Sequence, residues 1–126
     1  MLVKFDSLPE NSRVWIYQSN RSFTELELLE ISEKSSVFLE NWEAHGFGLK
    51  ASFLIKYKRF IIIALDQEKQ PATGCSIDSS VKFIQELETL YSVDLMDKMN
   101  VSYKQGEFIA YKNLVDFKTM AKKRSV

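Results

Sequence analysis

Apolar and polar positions along this chain fall into blocks of different period, and the blocks predict strands alternating with helices. Arg13-Val-Trp-Ile-Tyr-Gln18 is dense in β-branched and aromatic residues and runs into Ser19-Asn20, a turn signal, so it reads as a first strand. Ahead of it, Met1 to Ser12 reads as an irregular lead-in. Ser22-Phe-Thr-Glu25 has the form of a capping box, a hydroxyl for an orphan amide and a carboxylate reaching back. Leu28, Ile31, Ser35, Phe38 and Trp42 then recur at helical spacing, with Leu39 widening the stripe. Gly46 and Gly48 tolerate positive φ and are expected to end this first helix.

The clearest pattern follows. Leu49, Ala51, Phe53, Ile55 and Tyr57 alternate with Lys50, Ser52, Leu54, Lys56 and Lys58, the period of a strand with one buried face. Lys58-Arg59 turns the chain into Phe60-Ile-Ile-Ile-Ala-Leu65, which carries no polar residue. A strand apolar on both faces is covered on both faces and belongs in the middle of a sheet, whereas a lysine-bearing strand suits an edge. Asp66 to Gly74 reads as a polar loop, after which Asp78 or a neighbouring serine caps a second helix through Val81, Ile84, Leu87 and Tyr91. Asn100 to Lys104 and Glu107 to Tyr111 flank Gln105-Gly106 as a hairpin, and Asn113 caps a last helix through Leu114, Phe117 and Ala121.

The order of elements predicts an α+β fold: a ferredoxin-like βαββαβ nucleus with an antiparallel sheet and an added C-terminal strand and helix. Right-handed crossovers place both helices on one sheet face. The other face is then expected to hold Trp15 and Tyr17 with one side of the isoleucine strand, and to need a cover. The C-terminal helix or a second copy of the chain would supply it.

Composition acts mainly by exclusion. The 126 residues predict one domain, 1–126, and a 45% hydrophobic content is enough for a core without staples. Seventeen basic residues balance seventeen acidic ones, so no net field draws nucleic acid or anionic membrane from afar. One cysteine excludes an internal disulfide and a multi-cysteine zinc site, and a single histidine leaves few options for a conventional catalytic or metal cluster. No apolar run reaches the roughly 20 residues that span a bilayer, and no signal-peptide core follows Met1. The expectation is a cytoplasmic protein with no cofactor and no metal.

Charge is nonetheless uneven. Ser22 to Glu43 holds six glutamates and one lysine, whereas Lys98 to Val126 holds seven basic and two acidic residues. This polarity favours self-association or a protein partner. Lys50, Lys56, Lys58 and Arg59 form a second basic group, and Trp15 and Tyr17 could act as base-stacking platforms beside them. Tyr57-Lys-Arg-Phe-Ile-Ile-Ile-Ala64 lacks the glycine and aromatic pattern of an RNA-recognition strand, which argues against nucleic acid.

Thr73-Gly-Cys-Ser-Ile-Asp78 is the one stretch that invites chemistry. At a helix entrance, amides and the helix dipole would stabilise a thiolate at Cys75, with His45 as base and Asp66 or Asp78 as its orienting partner. The same entrance could hold a phosphate or carboxylate through Gly74, Ser76 and Ser79. Each residue also has a plain structural role as turn, small filler or cap. The favoured expectation is therefore a non-enzymatic binding or protein-interaction module. The alternative is a small thiol-dependent or anion-processing enzyme at Gly74–Ser79.

Arg13-Val-Trp-Ile-Tyr-Gln-Ser-Asn20, Trp42 with His45-Gly46, Leu49-Lys-Ala51, Arg59-Phe60 and Gly74-Cys-Ser-Ile-Asp78 with Ser80-Val81, Phe83-Ile84 and Leu87 together resemble a family of small uncharacterised bacterial proteins. Its members often carry the label "ABC transporter ATPase". The resemblance spans nearly the whole chain and implies no defined activity and no catalytic residues. ATP hydrolysis is not expected: the chain has no G-x-x-x-x-G-K-[ST] loop and no transporter signature of the Leu-Ser-Gly-Gly-Gln type.

Overall fold

A computed structural model describes residues 1–68 and 70–96. The fold is α+β. Its elements are β1 (Arg13–Gln18), α1 (Glu25–Glu40), β2 (Glu43–Ala44), β3 (Phe47–Gly48), β4 (Ala51–Lys56), β5 (Phe60–Leu65) and α2 (Gly74–Tyr91), with a single 3-10 turn at Phe5–Ser7 in the lead-in. The hairpin expected around Gln105-Gly106 and the last helix expected after Asn113 lie outside the described residues.

β1, β5 and β4 form an antiparallel sheet in that order, so the isoleucine segment is its central strand. Ile61 to Leu65 are all buried, as the lack of polar positions predicts. Each large aliphatic side chain so removed from water contributes roughly 1.5–3 kcal/mol. β4 is an edge of this sheet, and among the described residues the start of the lead-in pairs with its free side through a parallel bridge from Leu2 to Ala51.

The register decides which side chains share a face. Trp15, Ile63 and Phe53 form one row and Tyr17, Ile61 and Ile55 another. Both rows pack into the main core with Ile31 and Leu39 of α1, Trp42, and Phe83, Ile84 and Leu87 of α2. Trp15 and Tyr17 therefore lie under the helices, not on the opposite face where the sequence reading put them. Burial pushes the Tyr17 phenol up to about 12.

The opposite face carries the alternating rows Val14–Ala64–Ser52 and Ile16–Ile62–Leu54. Phe5 and Leu8 of the lead-in close over Val14, Ile62 and Ala64, with Val3, Ile16, Leu54 and Phe60 at the margin. The cover among the described residues is thus the N-terminal lead-in, where a C-terminal helix or second copy was expected. Ser52 is buried with it, although its strand pattern marked it as a solvent position.

Both helix starts differ from expectation. Thr24, not Ser22, caps α1: its hydroxyl accepts from the Glu27 amide and the Glu27 carboxylate accepts from the Thr24 amide. Arg21 supports this box by donating to both Glu27 oxygens at 2.8 Å, while a further bond at 2.7 Å ties it to the Tyr91 carbonyl of α2. The Arg21 guanidinium, then the Thr24 amide, hold the Glu27 carboxyl down to about 2, so it stays ionised across the neutral range. Thr73 caps α2, which begins at Gly74, upstream of the Asp78 or serine cap expected.

α1 ends at Glu40, before either glycine assigned to stop it. Gly46 instead forms the turn of the β2–β3 hairpin with His45, both at positive φ (79° and 53°). That is the two-residue turn a right-twisted hairpin favours, and histidine is among the residues that tolerate it. Beyond α2, Ser92 adopts a left-handed conformation, and the Glu88 carboxylate accepts from the Leu95 and Met96 amides, which folds Val93 and Leu95 into the core.

Candidate functional site

The residues from Gly74 to Ser79 do come together, on the first turns of α2, but their polar atoms serve the helix. Thr73 Oγ1 accepts from the Ser76 amide, and Ser76 Oγ accepts from the Thr73 amide and donates to the Thr73 carbonyl. The Ile77 amide goes to the Thr73 carbonyl, and Ser79 Oγ donates to the Cys75 carbonyl. Ser76 is 2% exposed. The hydroxyls expected to grip an anion are therefore engaged in capping and back-bonding. A Cβ built on Gly74 meets nothing within 4 Å, so no neighbouring protein atom requires a glycine there.

The expected thiol centre shows no hydrogen-bonded assembly among the described residues. Cys75 is exposed and free, and Asp78 is exposed one turn later. His45 sits exposed in its hairpin turn, and no hydrogen bond among the described residues joins it to Cys75. Asp66 is buried, its carboxylate accepting from the Glu68 amide. A nucleophile and base need to lie within about 3 Å in a plausible pose, with a third group orienting the base. Among the described residues no group of three or more histidine, cysteine or carboxylate side chains could hold a metal ion. Tyr17 is buried beneath the helices and Trp15 is half-buried there with the Arg13 guanidinium 4.7 Å from its ring, so neither lies on the sheet face where a base-stacking role was expected.

What gathers exposed apolar surface is the pair of helices. The Tyr91 hydroxyl donates to Glu30 at 3.0 Å, and at the other end Phe38 stacks on Phe83 with centroids 4.6 Å apart, so α1 and α2 run antiparallel. Partial burial and the nearby Glu30 charge push the Tyr91 phenol up to about 12, and the bond keeps its proton. Between the helices lies an open groove of about 810 Å³. Phe38, Phe83 and Leu87 form its floor, Val37, Leu90 and Tyr91 its walls, and Glu30, Glu33, Lys34 and Glu86 its rim. Val37 is 59% exposed toward the Phe38–Phe83 end and Leu90 60% exposed toward the Glu30–Tyr91 end, two open aliphatic side chains lining one concavity.

Trp42 packs beside Phe38, next to the groove. Its ring meets Trp15 edge-on at 6.0 Å and Phe38 at 5.7 Å, and its Nε1–H donates to the Ser76 carbonyl at 2.8 Å. A smaller cleft of about 340 Å³ opens there, lined by Trp42, Glu43 and Ser79 among others. Cys75 and His45 line neither concavity.

The groove escaped the sequence reading, although a signal was present. Leu26, Leu29 and Val37 fall off the inward stripe of α1 and give that helix more apolar positions than one face can bury. Leu90 supplies the opposite wall, a placement that spacing within α1 cannot reveal.

Among the described residues no helix is long and apolar enough to cross a membrane. Comparison of the chain with protein-family models, with curated proteins and with solved structures gives no match.

Proposed function

We propose that this chain is a cytoplasmic, non-enzymatic protein-interaction module of one domain, and that its working surface is the groove between α1 and α2. The observation that carries this reading is the contrast between two places. At the α2 entrance the serine hydroxyls are engaged in capping and back-bonding, while across the helix pair Val37 and Leu90 stand open to solvent over an aromatic floor. Exposed apolar residues gathered in a concavity with a polar rim are the usual mark of a docking surface.

The reading keeps the ferredoxin-like nucleus. The strand order β1–β5–β4, antiparallel throughout, and the packing of both helices on one sheet face support it. The resemblance to the small bacterial family fits such a module and brings no activity with it.

A peptide library displayed on phage and selected against the full chain tests the groove. Selected peptides are expected to lose at least tenfold in affinity against Leu90→Asp and to bind Cys75→Ser unchanged. Binders indifferent to Leu90→Asp but lost with Cys75→Ser would return the site to the helix entrance.

Self-association belongs to the same proposal. Leu26 and Leu29, 65% and 71% exposed on α1 outside the groove lining, support it. Sedimentation across a dilution series is expected to show a reversible dimer that Leu26→Ser with Leu29→Ser weakens. A monomer at every concentration removes this part.

A further inference from the structure

The groove also has a sign. Its rim brings three glutamates, Glu30, Glu33 and Glu86, against one lysine, Lys34. The helix behind that rim adds to the imbalance, since Glu25 to Glu40 contains five glutamates and a single lysine. Glu30 is held toward the Tyr91 wall by the phenol hydrogen bond. From Glu30 to Val37 the α1 wall runs eight residues, about 11 Å at 1.5 Å per residue, the length of two helical turns.

Taking the groove as the docking surface, on which this step rests, we infer that its occupant is a basic amphipathic helix of a partner protein. Two turns of such a helix present apolar side chains at i, i+3 or i+4, and i+7 along one line, which suits an elongated apolar floor. Lysine or arginine flanking that line would face the glutamates of the rim, where charge complementarity sets orientation and speeds encounter. A second copy laid groove to groove would set glutamates against glutamates and is disfavoured by the same electrostatics. An acidic helix meets the same penalty.

The test is fluorescence anisotropy with three labelled fourteen-residue peptides on the full chain. The first carries leucines at i, i+3, i+7 and i+10 with lysines and alanines elsewhere. The second replaces every lysine with glutamate, and the third scrambles the first.

The basic peptide is expected to bind and to weaken as salt rises, because the rim is solvated and screened. Glu33→Lys with Glu86→Lys should cost at least tenfold in affinity, and so should Val37→Asp. These positions line the open groove, and circular dichroism verifies that each variant is folded. Equal binding by the acidic peptide overturns the charge assignment and leaves the groove standing. Equal binding by the scrambled peptide reduces the effect to bulk charge and overturns the helix assignment. No binding by any peptide, or binding indifferent to Val37→Asp, overturns the inference and the groove reading together. A free protein that is dimeric and becomes monomeric with Val37→Asp assigns the groove to a second copy and overturns the partner assignment.

Discussion

Trp42→Ala is expected to lower the unfolding free energy by about 4 kcal/mol, the middle of the range for truncating a buried aromatic residue. Three contacts justify a value of that size. Trp42 is 3% exposed, so the whole ring is lost from a packed site. It joins Trp15 on the sheet to Phe38 on α1, and Phe38 continues the stack to Phe83 on α2. Its indole N–H also ties the end of α1 to the first turn of α2 through the Ser76 carbonyl. Removing it therefore opens a cavity where sheet and both helices meet, and such a site cannot collapse without moving an element. Domains of this size are stable by roughly 5–15 kcal/mol, so the loss removes from about a quarter to about four-fifths of the total.

Trp42→Phe separates the terms. It keeps most of the ring and deletes the indole donor, and the Ser76 carbonyl retains its place in the helix ladder. The cost should then be about 1–2 kcal/mol, a lost hydrogen bond plus a small void. Urea titration followed by circular dichroism measures both variants. An alanine variant within 1 kcal/mol of the parent would mean that the aromatic chain is peripheral, and that the groove floor does not depend on it.

The parts of this fold that are legible in the sequence are those where one residue pattern admits one environment. Phe60 to Leu65 has no polar position, so no face of it can meet water, and it lies in the middle of the sheet. Lys58-Arg59 reads as the turn, and the structure starts it earlier: the strand stops at Lys56, and Tyr57 and Lys58, read as strand positions, adopt positive φ without a glycine. β1 is different. Val14 and Ile16 are as apolar as Trp15 and Tyr17, so alternation marks no inner face, and only pairing with Ile61 and Ile63 decides it. The caps fail for a related reason. Ser22 and Thr24 are both competent, and the Thr24 box is supported by Arg21, which grips Glu27 and reaches α2. The candidate residues Cys75, Ser76 and Asp78 lie within the first turns of α2, past its Thr73 cap. Their chemistry was not legible, because a capping box and an anion site use the same residue types until the hydroxyl partners are known.

Phe5→Ala is expected to cost about 3 kcal/mol, an effect that local sequence gives no reason to anticipate. Phe5 lies in a lead-in with no periodicity, yet it is 8% exposed and closes over Val14, Ile62 and Ala64 with Leu8. Ile62 is fully buried on the face away from the helices, so cutting back the ring over it exposes central-strand surface as well as opening a void. The chain can partly settle into the gap, because a single 3-10 turn is easier to shift than a helix, which keeps the cost toward the lower end of the aromatic range. Phe5→Leu preserves an apolar cover and should cost about 1 kcal/mol, whereas Phe5→Asp buries an unpaired carboxylate and should exceed the alanine variant. That ordering, aspartate worst and leucine mildest, is the signature of a lid over an apolar face. Three equal and small losses in urea titration would show instead that residues beyond 96 or a second copy carry the cover, and would restore the expectation drawn from the strand pattern.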